Sequence, residues 1–294
     1  MKSASYRIFT EKKRRYFAPH EKWKSEYSRV VREEGITNVR LSGYLGWYDT
    51  NLNFVQTLPP LNNLEVLTAK PLDCSALGGH SIRALHLSGA MRDIDFSSIN
   101  GLIEVNLDRW DSRHFEGVLS VHQLKTLGLT RVPWKNLAPL KHLVELESLA
   151  ILYATKLESL DGGRFSKLQH LYLAKCNNLI SLKGIDHFRE LLLFHAEGLR
   201  RLSDISSLRR AEKLKTLTLI DCPAIDSISA LGSLSELTSI DLRGTTNIQD
   251  GNLQSILALP RLGHGYVFDR AHYTLKNKDL PKDLARIYHP PQSP

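Results

Sequence analysis

The core Leu-x-x-Leu-x-Leu recurs ten times along this chain, and such a recurrence leaves few folds open. The copies run Ile36-Val39-Leu41, Leu64-Leu67-Ala69, Ile82-Leu85-Leu87, Leu102-Val105-Leu107 and Leu124-Leu127-Leu129, then Leu146-Leu149-Ile151, Leu168-Leu171-Leu173, Phe188-Leu191-Leu193, Leu214-Leu217-Leu219 and Leu237-Ile240-Leu242. Their middle residues lie 28, 18, 20, 22, 22, 22, 20, 26 and 23 residues apart. In Leu-x-Leu both leucines point to one side of a short strand and the residue between points to the other. One such strand cannot bury its apolar side alone. Stacked strands can, as a parallel sheet with a leucine column behind it, and Leu127, Leu171 and Leu217 are assigned to that column. The links supply the opposite wall with apolar residues at spacing three, as in Leu179-Leu182-Ile185 and Ile225-Ile228-Leu231, which suits 3-10 returns.

The clearest copies are Leu168-Gln-His-Leu-Tyr-Leu-Ala-Lys-Cys176 and Leu214-Lys-Thr-Leu-Thr-Leu-Ile-Asp-Cys222. On these residues, roughly positions 36–262 resemble the leucine-rich repeats, with a repeat length similar to the bacterial internalin-like and phosphatase-regulator classes. The resemblance implies an α/β solenoid: an arc with a parallel concave sheet and a convex side of 3-10 segments and loops. It also implies that Cys176 and Cys222 are structural thiols bonding the backbone of the turn that follows. Elsewhere Ala90, Trp110, Val132, Ala154, Ala196 and Thr245 take that place, so those turns must satisfy their backbone by other means.

A solenoid needs covered ends. Residues 1–35 are assigned as an N-terminal cap, with a helix over Pro19 to Glu34 placing Trp23, Tyr27, Val30 and Val31 on one face and Gly35 as its stop. Leu262 to Phe268 resembles a last, degraded strand. Residues 263–294 form a C-terminal cap ending in the Pro-rich tail His289-Pro-Pro-Gln-Ser-Pro294, a composition that frays. The net charge of +8 lies wholly in the flanks: residues 1–35 carry 10 Lys/Arg against 5 Asp/Glu, residues 261–294 carry 6 against 3, and the stretch between carries 23 of each. The first 17 residues hold no apolar core of a signal peptide. The three cysteines, odd in number, show no CxxC spacing. A cytoplasmic compartment is the resulting expectation, with export lacking a signal peptide left open.

Motifs for chemistry are sparse. The glycine pairs Gly78-Gly79 and Gly162-Gly163 are isolated turns, and there is no HExxH, Gly-x-Ser-x-Gly or EF-hand pattern. The expectation is a non-catalytic chain without cofactor or metal. Recognition would fall on the exposed side of the sheet, where side chains are not needed by the core. Early repeats place Asn38, Arg40, Thr68, Lys70, His86 and Asn106 there. Repeats six to nine place Leu152, Tyr172, Leu192, Phe194 and Ile220, flanked by His170, Glu190, Asp241 and Arg243. An apolar centre with a polar rim is the composition of a protein–protein interface. Either a partner protein, the chain's own tail or a neighbouring molecule would cover it, or a shallow arc would let these residues pack on each other. The first reading makes the chain an adaptor, an inhibitor or an immunity-type antidote. The alternative is a nucleic-acid or acidic-surface binder using Lys12-Lys13-Arg14-Arg15, although a solvated charged turn also accounts for that run.

Overall fold

The computed structural model describes residues 5–288; the tail from His289 lies outside them. The chain divides into two compact units, residues 1–129 and 130–294, and is a leucine-rich-repeat solenoid in both.

In the first unit, β1 (Tyr6–Glu11) and β2 (Arg14–Pro19) form an antiparallel hairpin with Glu11 opposite Arg14. Lys12 and Lys13 turn it with φ of 47° and 66°, the pair of left-handed residues that a two-residue type I′ turn demands. The basic run is therefore the tip of a hairpin. Helix α1 (Ser25–Glu33) follows, and Tyr6, Phe17, Trp23 and Tyr27 pack ring to ring beneath the hairpin. The expected capping helix is present but starts at Ser25, because the hairpin claims Pro19 and His20, whose N–H donates to the Ser5 carbonyl, and Lys24 is extended before the first helical residue. From β2 onward every pairing is parallel, through β3 (Asn38–Ser42), β4 (Leu61–Asp73), β5 (Ile82–Arg92), β6 (Glu104–Asp108) and β7 (Thr126–Thr130).

The second unit repeats the design with β8 (Ser148–Leu152), β9 (His170–Ala174), β10 (Leu193–Glu197), β11 (Thr216–Ile220), β12 (Ser239–Arg243) and β13 (His264–Val267), again parallel in sequence order. Leu149, Leu171, Leu217 and Ile240 form its buried column. The returns are short 3-10 turns such as Ile185–His187, Ser206–Arg210 and Ser229–Ser233. Leu179, Leu182, Ile185, Ile225, Ile228 and Leu231 are all buried as the opposite wall.

Two repeats sit three residues away from their expected register. Leu64 pairs with Val39 and Val66 with Leu41, so the second copy is Leu61-Leu64-Val66, and Glu65, not Thr68, faces out. Phe194 pairs with Leu171 and Ala196 with Leu173, so the eighth copy is Leu191-Phe194-Ala196. The intervals then even out: Val39 to Leu64 is 25 residues and Leu64 to Leu85 is 21, while Leu171 to Phe194 and Phe194 to Leu217 are 23 each. The physical reason is the ladder. Each coil must bond its neighbours along the whole strand, and this register does so on both sides.

The turns that leave the strands share a solution that the sequence pattern did not disclose. Tyr153, Lys175 and Asp221, directly after β8, β9 and β11, have φ between 53° and 57°; Gly198 and Gly244, after β10 and β12, have 63° and 66°. The N–H of each of the first four donates to the last strand carbonyl of the next coil: Tyr153 to Ala174 at 2.7 Å, Lys175 to Glu197 and Gly198 to Ile220 at 2.8 Å, and Asp221 to Arg243 at 3.3 Å. This backbone ladder meets the turn's needs where no capping side chain is present. The cysteines contribute differently from the expectation. Each thiol reaches back rather than forward, Cys176 to the carbonyls of Ala174 (3.5 Å) and Ile151 (3.6 Å), and Cys222 to those of Ile220 (3.4 Å) and Ala196 (4.0 Å).

Candidate protein-binding face

Strand alternation puts three rows of side chains on the outer side of the second unit's sheet. The central row follows from the register: Ala150, Tyr172, His195, Thr218, Asp241 and Tyr266 lie on adjacent strands. A second row, at the C-terminal ends of the strands, runs from Leu152 through Ala174, Glu197 and Ile220 to Arg243. Leu152, Tyr172, His195 and Ile220 are half-buried. The Tyr172 and His195 rings lie 6.0 Å apart, and Phe268, just past β13, is exposed.

Of the residues proposed from sequence, Leu152, Tyr172 and Ile220 take these rows. Phe194 does not: with none of its surface exposed, it is a member of the inner column. Leu192 precedes β10, where its carbonyl accepts from the N–H groups of Lys215 and Thr216. Both were displaced by the three-residue register error, which also hid Leu193 and His195. The signal that could have found them is the interval itself, since only Phe194 divides the span from Leu171 to Leu217 evenly. Asp241 and Arg243 lie at the far side, joined to each other in an ion pair. Arg243 also sits 5.7 Å from the centre of the Tyr266 ring.

His170 is on the face but is not open. After β13 the chain doubles back, covering that strand's edge with bonds from Gly265 N–H to the Pro281 carbonyl and from Asp283 N–H to the Gly263 carbonyl, both 2.8 Å. It then carries Tyr288 to His170, phenol oxygen 3.0 Å from the imidazole Nε2. The same ring lies 5.5 Å from the Lys215 ammonium. The C-terminal segment thus covers the N-terminal end of the strands at β9 to β11.

Burial governs the titration of this face. It lowers the affinity of His170, His195 and His264 for a proton, and it raises the Tyr172 phenol, with Tyr288 adding to the effect. The face therefore presents neutral imidazoles and phenols at neutral pH. Among the described residues no group of three or more His, Cys, Asp or Glu is placed to hold a metal ion.

The first unit's outer side differs. Arg40 pairs with Glu65 and, at 2.7 Å, with Glu11, between the rings of Phe9 and Tyr16. His86 lies 3.3 Å from Glu104. Arg40 holds the Glu65 carboxyl low against the opposing pull of burial, and His86 does the same for Glu104. Here opposite charges are already matched within the chain. The hairpin tip is partly matched too, as Arg15 bonds Glu34 at 2.7 Å.

No family model and no curated protein matches this chain. Similar solved structures are internalins and other leucine-rich-repeat proteins. An internalin (inlF) from Listeria monocytogenes is 20% identical, with a TM-score of 0.46 over 80% of this chain and 81% of that one. The leucine-rich repeat domain of the type III effector XopL is 16% identical, with a TM-score of 0.45 over 76% and 80%. TLR13, solved in complex with ssRNA13, is 18% identical, with a TM-score of 0.44 over 78% of this chain and 42% of that one. The solenoid assignment stands on this chain's own strand register and buried columns.

Proposed function

We propose that the chain binds another protein through the outer sheet face of residues 130–294, as an adaptor, an inhibitor or an immunity-type antidote. One observation carries the reading: neighbouring strands hold Leu152, Tyr172, His195 and Ile220 half-buried on a side of the sheet that the fold does not need. Rigid aromatic groups in a partly desolvated setting, edged by polar groups such as Asp241 and Arg243, are what anchors a protein partner. The segment ending at Tyr288 bounds this face beside His170, so a partner meets Tyr288 as part of the surface or displaces it.

The test begins with capture of the partner on the immobilised chain and its identification by mass spectrometry, followed by calorimetry at two salt concentrations. Tyr172→Ala should weaken binding by about 2 kcal/mol or more, while Thr68→Ala should do little. Affinity should change little with salt, because an apolar centre releases few counterions. Normal binding by Tyr172→Ala and Ile220→Ala, with loss on Lys12→Ala or Lys13→Ala and a steep salt dependence, would move the site to the hairpin tip and make the ligand a polyanion.

A further inference from the structure

The edges of the two terminal strands are treated differently. β13 is covered by its own C-terminal segment through the Gly265 and Asp283 bonds. β1 stands first in the strand order, and among the described residues nothing pairs with its outer edge. The hairpin geometry defines which groups face that edge. Residues flanking a two-residue turn exchange both backbone bonds, and bonding alternates along the strand. Glu11, Phe9 and Arg7 therefore bond inward to β2, consistent with the Ser5 carbonyl accepting from His20 N–H at 2.9 Å. Ile8 and Thr10 turn their N–H and C=O groups outward.

An edge of this kind recruits another strand unless something repels it. Here the side chains select one partner. Arg7 and Glu11 stand symmetrically about Phe9, on the same side of the strand. A second β1 laid antiparallel about a two-fold axis at Phe9 would bring Arg7 of each copy opposite Glu11 of the other, a carboxylate that pairs with Arg40 yet stays half exposed. It would also set Ile8 opposite Thr10, so that the outward backbone groups of both meet as bonded pairs. Phe9 would face its own counterpart in the non-bonded position, where side chains come closest. Backbone parity and charge agree only for a copy in this register, and a two-fold contact closes on itself.

We propose that the chain forms a homodimer by antiparallel pairing of β1 with β1 of a second copy, joining two sheets edge to edge. Light scattering with size-exclusion chromatography over a dilution series tests this on the whole chain. The expected mass is twice the 33.3 kDa of one chain. Ile8→Pro removes an outward N–H while leaving the inward bonds of the hairpin, a replacement edge strands accept, and should give a single chain. Arg7→Glu sets carboxylates against each other and should do the same without touching the backbone. In Phe9→Cys, mild oxidation should link two chains covalently, since the buried Cys74, Cys176 and Cys222 cannot. An unchanged urea midpoint, followed by tryptophan emission to which Trp23 contributes beside Trp47, Trp110 and Trp134, confirms that each variant remains folded. A wild-type mass of one chain overturns the proposal, as does a dimer that survives both Ile8→Pro and Arg7→Glu, or a Phe9→Cys variant that does not cross-link.

Discussion

Each residue of an inner column is enclosed by its own coil and by the coils before and after it, so truncation leaves a cavity that little can fill. Leu171 and Phe194 are both without exposed surface. Leu171→Ala should cost about 2–5 kcal/mol and Phe194→Ala about 3–5 kcal/mol of folding free energy, read as a lowered urea midpoint. For Phe194 this reverses the expectation of a side chain on the exposed side of the sheet that the core does not need. The cysteines follow the same logic of enclosure. Burial pushes the Cys176 and Cys222 thiols up to about 11 and Cys74 to about 12, so all three stay protonated at neutral pH. Native protein should react with a thiol reagent far more slowly than denatured protein; three thiols reacting at once in the native state would contradict their burial.

At the scale of the element, the turns and the imidazoles each make a measurable claim. Gly184 opens the Ile185–His187 turn at φ of 102°, and a Cβ there would lie 2.5 Å from the Leu160 backbone. Gly184→Ala should therefore destabilise by about 1–3 kcal/mol. Gly198→Asn should be tolerated, because Lys175 and Asp221 already hold the same left-handed conformation in neighbouring coils and a Cβ there would meet only the flexible end of the Lys175 side chain, which can swing aside. The histidines on β9, β10 and β13 bind a proton less readily folded than unfolded, chiefly because they are buried. Below the ordinary histidine value of 6.5 the unfolded chain holds more protons, so stability present at neutral pH falls as the pH drops through that value toward the lower folded ones. The urea midpoint should thus be lower at about pH 5.5 than at about pH 7.5, and His195→Gln should flatten the difference. An unchanged pH profile in His195→Gln would show that this imidazole is not part of the effect.

At the scale of the whole molecule, stability is shared between neighbours. A coil in the second unit has no core apart from what adjacent coils supply, so damage at one travels. Hydrogen exchange of Leu171→Ala should show protection lost in β8 and β10 as well as β9, not confined to the substituted strand. The charge distribution acts at this scale too. The excess of +8 resides in the flanks, where Arg15 is paired with Glu34 and the neighbouring Arg40 with Glu11 and Glu65. The outer sheet side of residues 130–294 is instead apolar and aromatic at its centre.

The sequence by itself determined the solenoid, the parallel strands, the 3-10 returns and most of the inner column. These are short-range matters: alternation assigns a side to each residue, and spacing three closes a coil. It also located Leu152, Tyr172 and Ile220 on the outer side. The register of the second and eighth copies was decided only by the tertiary structure. Phe188-Leu191-Leu193 and Leu191-Phe194-Ala196 both satisfy the local pattern, and only bonding to the coils at Leu171 and Leu217 separates them. The hairpin was hidden because Lys12 and Lys13 lack the Asn-Gly signature of their turn. The passage of Tyr288 to His170 was hidden for a deeper reason: a contact across 118 residues leaves no period in the sequence, since it is made by the folded surface and not by the repeat.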